Sequence, residues 1–351
     1  MTNQDELKFL TQALLDPDTS GKSRLVSEYE QALATEFGAT NAVALNSGSA
    51  AIESALWGLG IRSGDEVLVS AAAPLPTLMP LIAAGTELIF VDCGSDSPGM
   101  DPADLKRKLS VHPGASAGVE VALWGYPLPH QAEVREILST RGIPLIEDAA
   151  HAHGATVEGA AVGTLATVGC FSTHRMKMLS TGEGGFALTA DAELADRIRR
   201  YSRISNLDGV DIGRNFKPSA FTAAIGLARL PGLTGVVHER RERASNLRAA
   251  LPDALRREPA FVGEPNYYNL VVLVDDPERA RSFHRKLSEL GITTDPIRFR
   301  YKPATEHAIT QRWAQYCPNA DQLTTAAVQL PVDTSRDESM TAELVCRAWS
   351  A

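Results

Sequence analysis

The sequence predicts an α/β protein with a mostly parallel sheet of about seven strands, followed by a smaller α+β unit. Three observations carry this. From about residue 40 to 190, short runs that are apolar throughout alternate with amphipathic helical patterns. After Pro231-Gly232 the rhythm changes to a long charged helix and then isolated strand-like runs. And 351 residues are too many for one compact core, which favours one large domain with a smaller partner.

The strand-like runs are Ala42 to Leu45, Glu66 to Val69, Leu88 to Val91, Val119 to Trp124, Pro144 to Glu147, Thr167 to Ser172 and Gly185 to Thr189. Helices fall between them. In Ser49 to Leu59, residues Ile52, Ala55, Leu56 and Leu59 share one face. Asp101 to Leu109 opens on Asp-Pro, a capping residue followed by a residue suited to the first turn. Gln131 to Ser139 and Asp191 to Tyr201 read as surface helices. Residues 204 to 218 form a polar stretch with Gly209, Gly213 and Pro218. Ser219 to Leu230 is a small-residue helix, and a charged helix runs from about Val236 to Leu251. Two strands, Asn269 to Val274 and Ile292 to Arg298, then flank a helix over Pro277 to Leu290, and the end reads as strand (Gln329 to Val332) then helix (Asp337 to Trp349). The boundary is placed between 233 and 234, giving units 1–233 and 234–351.

Composition excludes several functions. Apolar residues make up 44% and charged residues 22%, as in ordinary globular chains. The net charge of −9 lacks the basic footprint of nucleic-acid binding, and gives no support to an anionic membrane surface as partner. Cys93, Cys170, Cys317 and Cys346 are widely spaced, so neither a zinc site nor a redox dithiol is expected, and no metal is assigned. The polar start, Met1 to Glu6, is followed by no signal-peptide core, and no apolar run reaches the roughly 18 residues of a membrane helix. A cytoplasmic location with reduced thiols is expected. Gly21-Lys22-Ser23 has the ending of a P-loop, but Asp16 stands where that motif requires glycine and no strand precedes it.

Three segments can carry chemistry. Asn46-Ser47-Gly48-Ser49-Ala50-Ala51 joins a strand to a helix, and its small residues leave backbone N–H groups open at the positive end of the helix dipole. That is an anion site, or a plain βα turn with a serine cap. Asp148, in Glu147-Asp148-Ala149-Ala150-His151, ends a buried strand at the edge where open α/β sheets bind ligands. An ionised carboxylate there requires a cationic or hydrogen-bonding partner, such as a protonated ring nitrogen, unless it is simply solvated. Lys177 lies between Met176 and Met178, near Arg175 and His174 and before Ser180-Thr181-Gly182-Glu183-Gly184-Gly185. A lysine partly desolvated near other cations loses pKa and can link covalently to a carbonyl; the alternative is a surface lysine beside a turn. A phosphate cradle, a carboxylate and a reactive lysine, in that order, are the three handles of pyridoxal 5'-phosphate.

With these residues in place, the chain resembles the DegT/DnrJ/EryC1/StrS family of sugar aminotransferases, within fold-type I pyridoxal-phosphate enzymes. The matching text is "SGSAAIESAL", "GDEVLV", "FVD", "IPLIEDAAHAHGA", "VGCFSTHRMKMLSTGEGGFALT" and "NFKPSAFTAAIGLARL", with a further likeness in "CPNADQL" and "QLPV", over about residues 25 to 350. The resemblance implies that Lys177 is the cofactor-linked lysine and proton shuttle, and that Asp148 faces the pyridine nitrogen. It implies that His151 faces the ring's 3-hydroxyl. Gly48, Ser49 and Ala50 then form the phosphate turn, Ser172 adds a phosphate contact, and Asn215 reaches the neighbouring subunit's phosphate in a homodimer.

The implied reaction moves an amino group from L-glutamate or L-glutamine to a nucleotide-linked keto sugar or a ketocyclitol. Two departures stand out. Pro74 occupies the position of the aromatic residue that covers the ring, with Trp124 as a candidate substitute, and Lys217 replaces the arginine two residues after the asparagine. A sugar dehydratase of the same superfamily and a non-catalytic cofactor binder are the competing readings; Lys177 favours transfer over both.

Overall fold

The computed structural model describes residues 3–350; Met1, Thr2 and Ala351, which belong to the two terminal segments read above, lie outside the described residues. Two helices, α1 (Asn3–Leu15) and α2 (Arg24–Phe37), precede the sheet. Ser23 of the rejected P-loop motif caps α2, its Oγ accepting from the Leu25 N–H.

The alternating part follows as β1 (Asn41–Leu45), α3 (Gly48–Gly58), β2 (Glu66–Ser70), α4 (Leu75–Ala83), β3 (Glu87–Val91), α5 (Pro102–Val111), β4 (Ala117–Val121), α6 (Gln131–Ser139) and β5 (Leu145–Asp148). A two-stranded hairpin, β6 (Thr156–Val157) and β7 (Ala160–Ala161), leads into β8 (Val168–Ser172) and β9 (Gly185–Thr189). The seven-stranded sheet has the order β1-β9-β8-β5-β4-β2-β3, and only β9 runs antiparallel to its neighbours.

Both faces of the sheet are covered. On one, Val43, Val67, Val69, Phe90, Val119 and Ile146 belong to one core with residues of α3; on the other, Ala42, Ala44, Phe171, Phe186 and Leu188 share a core with α2 and with the later helix α8 (Ala220–Arg229). Glu120 and Glu147 sit opposite each other in the β4–β5 register and are fully buried. Burial pushes them up to about 8 and about 7.

The chain continues through α7 (Ala192–Ser202), α8 (Ala220–Arg229) and α9 (Leu233–Ala250). The stretch over 204–218 is less polar in space than in composition. Ile204, Ser205, Asn206 and Leu207 all take left-handed backbone angles, and Leu207, Val210 and Ile212 are exposed. The run Ala220–Ala250 is long and apolar enough, by composition, to cross a membrane, which corrects the expectation that no such run exists. Here it forms two helices broken at Pro231-Gly232, with Ala223, Ala224 and Leu233 buried against the α2 side of the sheet.

The last third has its own core, in which Ala244, Leu247, Phe283 and Val345 pack with β10 (Leu270–Leu273). Its elements are β10, α10 (Pro277–Glu289), α11 (Asp295–Arg298), α12 (Pro318–Ala326), β11 (Ala327–Leu330) and α13 (Glu338–Ser350). The strand expected over Ile292 to Arg298 is not formed. Pro296 at the start of a short helix removes the N–H a ladder needs, and β11 pairs antiparallel with β10 instead.

Candidate active site

The C-terminal ends of β1, β2, β4, β5 and β8 converge on one cavity of about 490 Å³, within the range of small-molecule sites. Residues of the last third close it from the other side: Tyr268, Asp295, Phe299, Arg300, Tyr301 and His307.

The turn after β1 forms the cradle. Ser47 caps α3, its Oγ accepting from the Ala50 N–H at 3.1 Å. Gly48 and Ser49, at the very start of the helix where backbone N–H groups have no intrahelical partner, line the cavity, whereas Ala50 is buried behind it. Two glycines make this packing possible. A Cβ on Gly48 would lie 2.9 Å from the Ser172 Cβ, and one on Gly185 would lie 2.4 Å from the Ser47 backbone. Hence Ser172, at the end of β8, reaches the same mouth as Gly48 and Ser49.

Asp148 ends β5. Its Oδ2 accepts from the Thr77 hydroxyl at 2.5 Å and its Oδ1 from the Ala150 N–H at 3.0 Å. Burial raises its pKa, opposed by these hydrogen bonds and by the charge of Lys177. Thr77 comes from α4, a helix that sequence reasoning did not place; Pro74 and Pro76 at its start were the available signal. Pro74 lines the cavity where an aromatic residue was missed.

Lys177 lies in a loop between β8 and β9 that is closed by backbone bonds Thr173 N–H to Gly184 O and Arg175 N–H to Gly182 O, each 2.8 Å. Gly184 has to be glycine, since a Cβ there would come within 2.4 Å of the Thr173 Oγ1. Loss of solvation brings the Lys177 ammonium down to about 8, with Asp148 and Asp295 pulling the other way. Among the described residues no carboxylate pairs with Lys177 within ion-pair distance, and no cation pairs so with Asp148. His174 lines the cavity, its Nε2 3.8 Å from Glu183 Oε1.

His151 stacks face to face on Tyr268, centroids 4.1 Å apart at 9°, and Lys177 Nζ lies 4.9 Å from the Tyr268 ring centre. The Trp124 N–H donates to His151 Nδ1 at 3.2 Å. That bond makes Nδ1 the acceptor and leaves the ring proton on Nε2. Burial, then Lys177 and His153, hold His151 neutral, with its pKa well below 6.5.

Trp124 adopts φ 60, a costly angle of about 1–2 kcal/mol for a non-glycine residue, of the kind that collects at functional sites. Its indole N–H donates to Asp295 Oδ2 at 3.2 Å. The candidate ring cover is therefore a wall residue engaged on both sides, and Tyr301 packs edge-on against it, centroids 6.1 Å apart.

Asn215 is exposed and does not line the cavity; its carbonyl accepts from Asn46 Nδ2 at 3.4 Å, next to the cradle, and its side-chain oxygen accepts from Lys217 Nζ. The structure thus brings together Gly48, Ser49, Asp148, His151, Ser172 and Lys177 around the cavity; Ala50 lies just behind them, and Asn215 adjoins the cradle through Asn46 without lining the cavity. Sequence reasoning missed Thr77, Tyr268, Asp295 and Tyr301.

The residues present fit pyridoxal phosphate: two adjacent amides on a helix N-terminus for an anion, a buried carboxylate without a cation, and a partly desolvated lysine, all facing one cavity.

Residues 2–347 match the model of the DegT/DnrJ/EryC1/StrS aminotransferase family. GDP-perosamine synthase of Escherichia coli O157:H7 is 26% identical over 93% of this chain and 90% of its own. A Bacillus subtilis protein named "Putative pyridoxal phosphate-dependent aminotransferase EpsN" is 29% identical over 78% of this chain and 73% of its own. Some other curated relatives are matched over less of their length, 56% to 66%. The solved structure of the sugar aminotransferase CalS13 from Micromonospora echinospora superposes with a TM-score of 0.85, at 28% identity, covering 99% of this chain and 98% of that one.

Proposed function

The chain belongs to the DegT/DnrJ/EryC1/StrS aminotransferase family, and on that premise we propose that it is a pyridoxal-phosphate-dependent aminotransferase. It moves an amino group from L-glutamate or L-glutamine to a keto sugar, nucleotide-linked, or to a ketocyclitol. One observation carries the reading: Lys177 and Asp148 face a single cavity beside the open amides of α3. Bound there, the cofactor supplies an aldehyde for the lysine amine and a protonated ring that draws off negative charge from the reacting carbon.

The chain's own groups do the rest. The Gly48 and Ser49 amides and the Ser172 hydroxyl would hold the phosphate. Asp148, fixed at both oxygens by Thr77 and Ala150, keeps a proton on the ring nitrogen. His151, with its proton left on Nε2, would donate to the ring's 3-hydroxyl oxygen. Lys177 Nζ, whose ammonium loss of solvation brings down to about 8, would be the group that carries a proton to and from the reacting carbon of the bound donor. Tyr268, stacked on His151, limits the lysine's reach on one side.

The working unit is a homodimer in the cytoplasm, with units 1–233 and 234–351 facing each other across the cavity. Asn215, steadied by Lys217, extends to the neighbouring subunit's site. The exposed Leu207, Val210 and Ile212 beside it supply an apolar contact surface. The test is spectroscopic and chemical. Purified protein with cofactor should absorb in the visible, lose that band on addition of L-glutamate or L-glutamine, and release the corresponding 2-oxo acid. A band that no amine changes favours the non-catalytic binder, and loss of a hydroxyl without nitrogen transfer favours the dehydratase.

A further inference from the structure

Several polar groups around the cavity are already committed within the protein. Thr77 gives its hydroxyl to Asp148, Trp124 its indole N–H to Asp295, and Tyr301 its hydroxyl to the Ala72 carbonyl. His307 differs. It lines the cavity from the last third of the chain and is only 8% exposed, yet among the described residues its Nε2 has no hydrogen-bond partner. A buried polar atom in that state is costly unless something outside the chain pairs with it.

The ring stands on a fixed support. The Ala304 N–H donates to the Ala71 carbonyl at 2.9 Å, beside the Tyr301–Ala72 bond, which pins this segment to the turn that carries Pro74. The His307 carbonyl accepts from the Thr310 N–H at 3.0 Å and from the Thr310 hydroxyl at 2.9 Å. Burial, then the Lys302 ammonium, push the imidazole below its ordinary 6.5, against a bond to the Lys302 backbone and the Glu306 carboxylate. That backbone bond favours the charged ring, so the ring donates it to the carbonyl; with Nε2 unpaired, the donor is Nδ1. Neutral His307 therefore offers a lone pair on Nε2, an acceptor without a donor.

The ligand that fits has to bring a hydrogen. L-Glutamate has none to spare once its amine is at the cofactor, and its carboxylates would meet the lone pair with lone pairs of their own. A keto sugar or ketocyclitol carries hydroxyls on the carbons around its carbonyl, and an O–H donates well to a neutral imidazole nitrogen. We infer that His307 binds a hydroxyl of the amino acceptor and so selects which hydroxylated ketone enters the second half of the reaction. This deepens the proposed transfer to a sugar or cyclitol and rests on it. A site built to hydrogen-bond a substrate hydroxyl rejects the analogue lacking it far better than an apolar wall does, because its own buried group is then left unpaired.

The experiment uses the full-length protein loaded with pyridoxal phosphate. L-Glutamate first bleaches the visible band. After desalting, keto sugars linked to thymidine, uridine or guanosine diphosphate, and the free ketocyclitol scyllo-inosose, are titrated separately and the return of the band is read. The compound that restores it at the lowest concentration serves as the probe. His307→Phe should raise that concentration roughly tenfold or more, while L-glutamate and L-glutamine bleach the band as in wild type. His307→Gln, whose side-chain oxygen can accept in place of Nε2, should stay within about threefold of wild type. Removing the hydroxyls of the probe in turn should weaken wild type at one position, and cost His307→Phe nothing further there. Equal loss in the donor and acceptor halves marks a structural role and overturns the inference, as does a Phe variant that matches wild type. So does a loss confined to L-glutamine, which would put the donor's carboxamide on the ring. A wild type that bleaches but regains its band with no keto compound refutes the sugar and cyclitol reading, and one that never bleaches refutes amino transfer, which keeps those failures apart from this one.

Discussion

The wall carrying Gly48, Asp148, Ser172 and Lys177 grows from the sheet's own strand ends, whereas the wall carrying Tyr268, Asp295 and Tyr301 arrives from the last third of the chain. The first is held by short-range devices: the Ser47 cap, the Asp148–Ala150 turn, and the loop closed between Thr173 and Gly184. The second is held by long-range bonds. Asn266, fully buried, donates through Nδ2 to the carbonyls of His151 at 2.7 Å and His153 at 2.9 Å, 115 and 113 positions away. Tyr301 donates its hydroxyl to the Ala72 carbonyl at 2.7 Å, across 229 positions. On the proposed function, the strand ends would carry the constant chemistry and the distant wall the choice of substrate, and variants on the two sides should then fail in different ways.

Lys177→Ala should have the largest effect, removing the lysine-linked absorbance and lowering transfer by about 10⁴-fold or more. A stopped assay for 2-oxo acid release checks it, and retained turnover would break the division of labour. Asp148→Ala comes next. It should cost about 10³-fold in turnover, because no other carboxylate on the strand-end wall is fixed to hold the ring proton. The measurement is kcat at saturating donor, where the loss should appear rather than in KM.

On the distant wall, Asn266→Ala leaves two carbonyls and the Tyr268 N–H without their partner, and should cost about 2–4 kcal/mol of stability. Its signature is a lower midpoint in denaturant and a raised donor KM, with the cofactor band kept. Loss of the cofactor band with unchanged donor KM would reverse the assignment of the walls.

The smallest effect expected is a pH dependence. The Lys177 ammonium falls from 10.5 in a free lysine to about 8 in the folded chain. The folded protein therefore binds fewer protons than the unfolded one between these values, so its stability rises with pH across that window. In the same sense the neutral amine accumulates through pH 8. Capture of added pyridoxal phosphate by cofactor-free protein should accelerate with a midpoint near pH 8; a midpoint near 10.5 would place Lys177 in solvent.

The same contrast explains what the sequence made legible. The seven sheet strands and the cradle, aspartate and lysine could be read because each is encoded locally: an apolar run, a small-residue turn, a glycine pair. The second wall could not. The run at Ile292 to Arg298 looked like a strand, since Ile292 and Ile297 are β-favouring, but Pro296 and the better partner β11 decide otherwise. With that segment turned into a short helix, Asp295 points to the cavity, a placement no spacing rule predicts. Thr77 was hidden for a similar reason, because it acts through a contact with Asp148 71 positions away. Trp124 was noticed as an aromatic near the site, yet its left-handed backbone and its bridge between His151 and Asp295 emerge only in three dimensions.

Borohydride reduction of the cofactor-loaded protein, followed by peptide mass mapping, tests the central claim most directly. The account predicts a reduced pyridoxyl-phosphate mass on the peptide containing Lys177 and on no other. A tag on a different lysine, or no tag on a protein that absorbs in the visible, would contradict it.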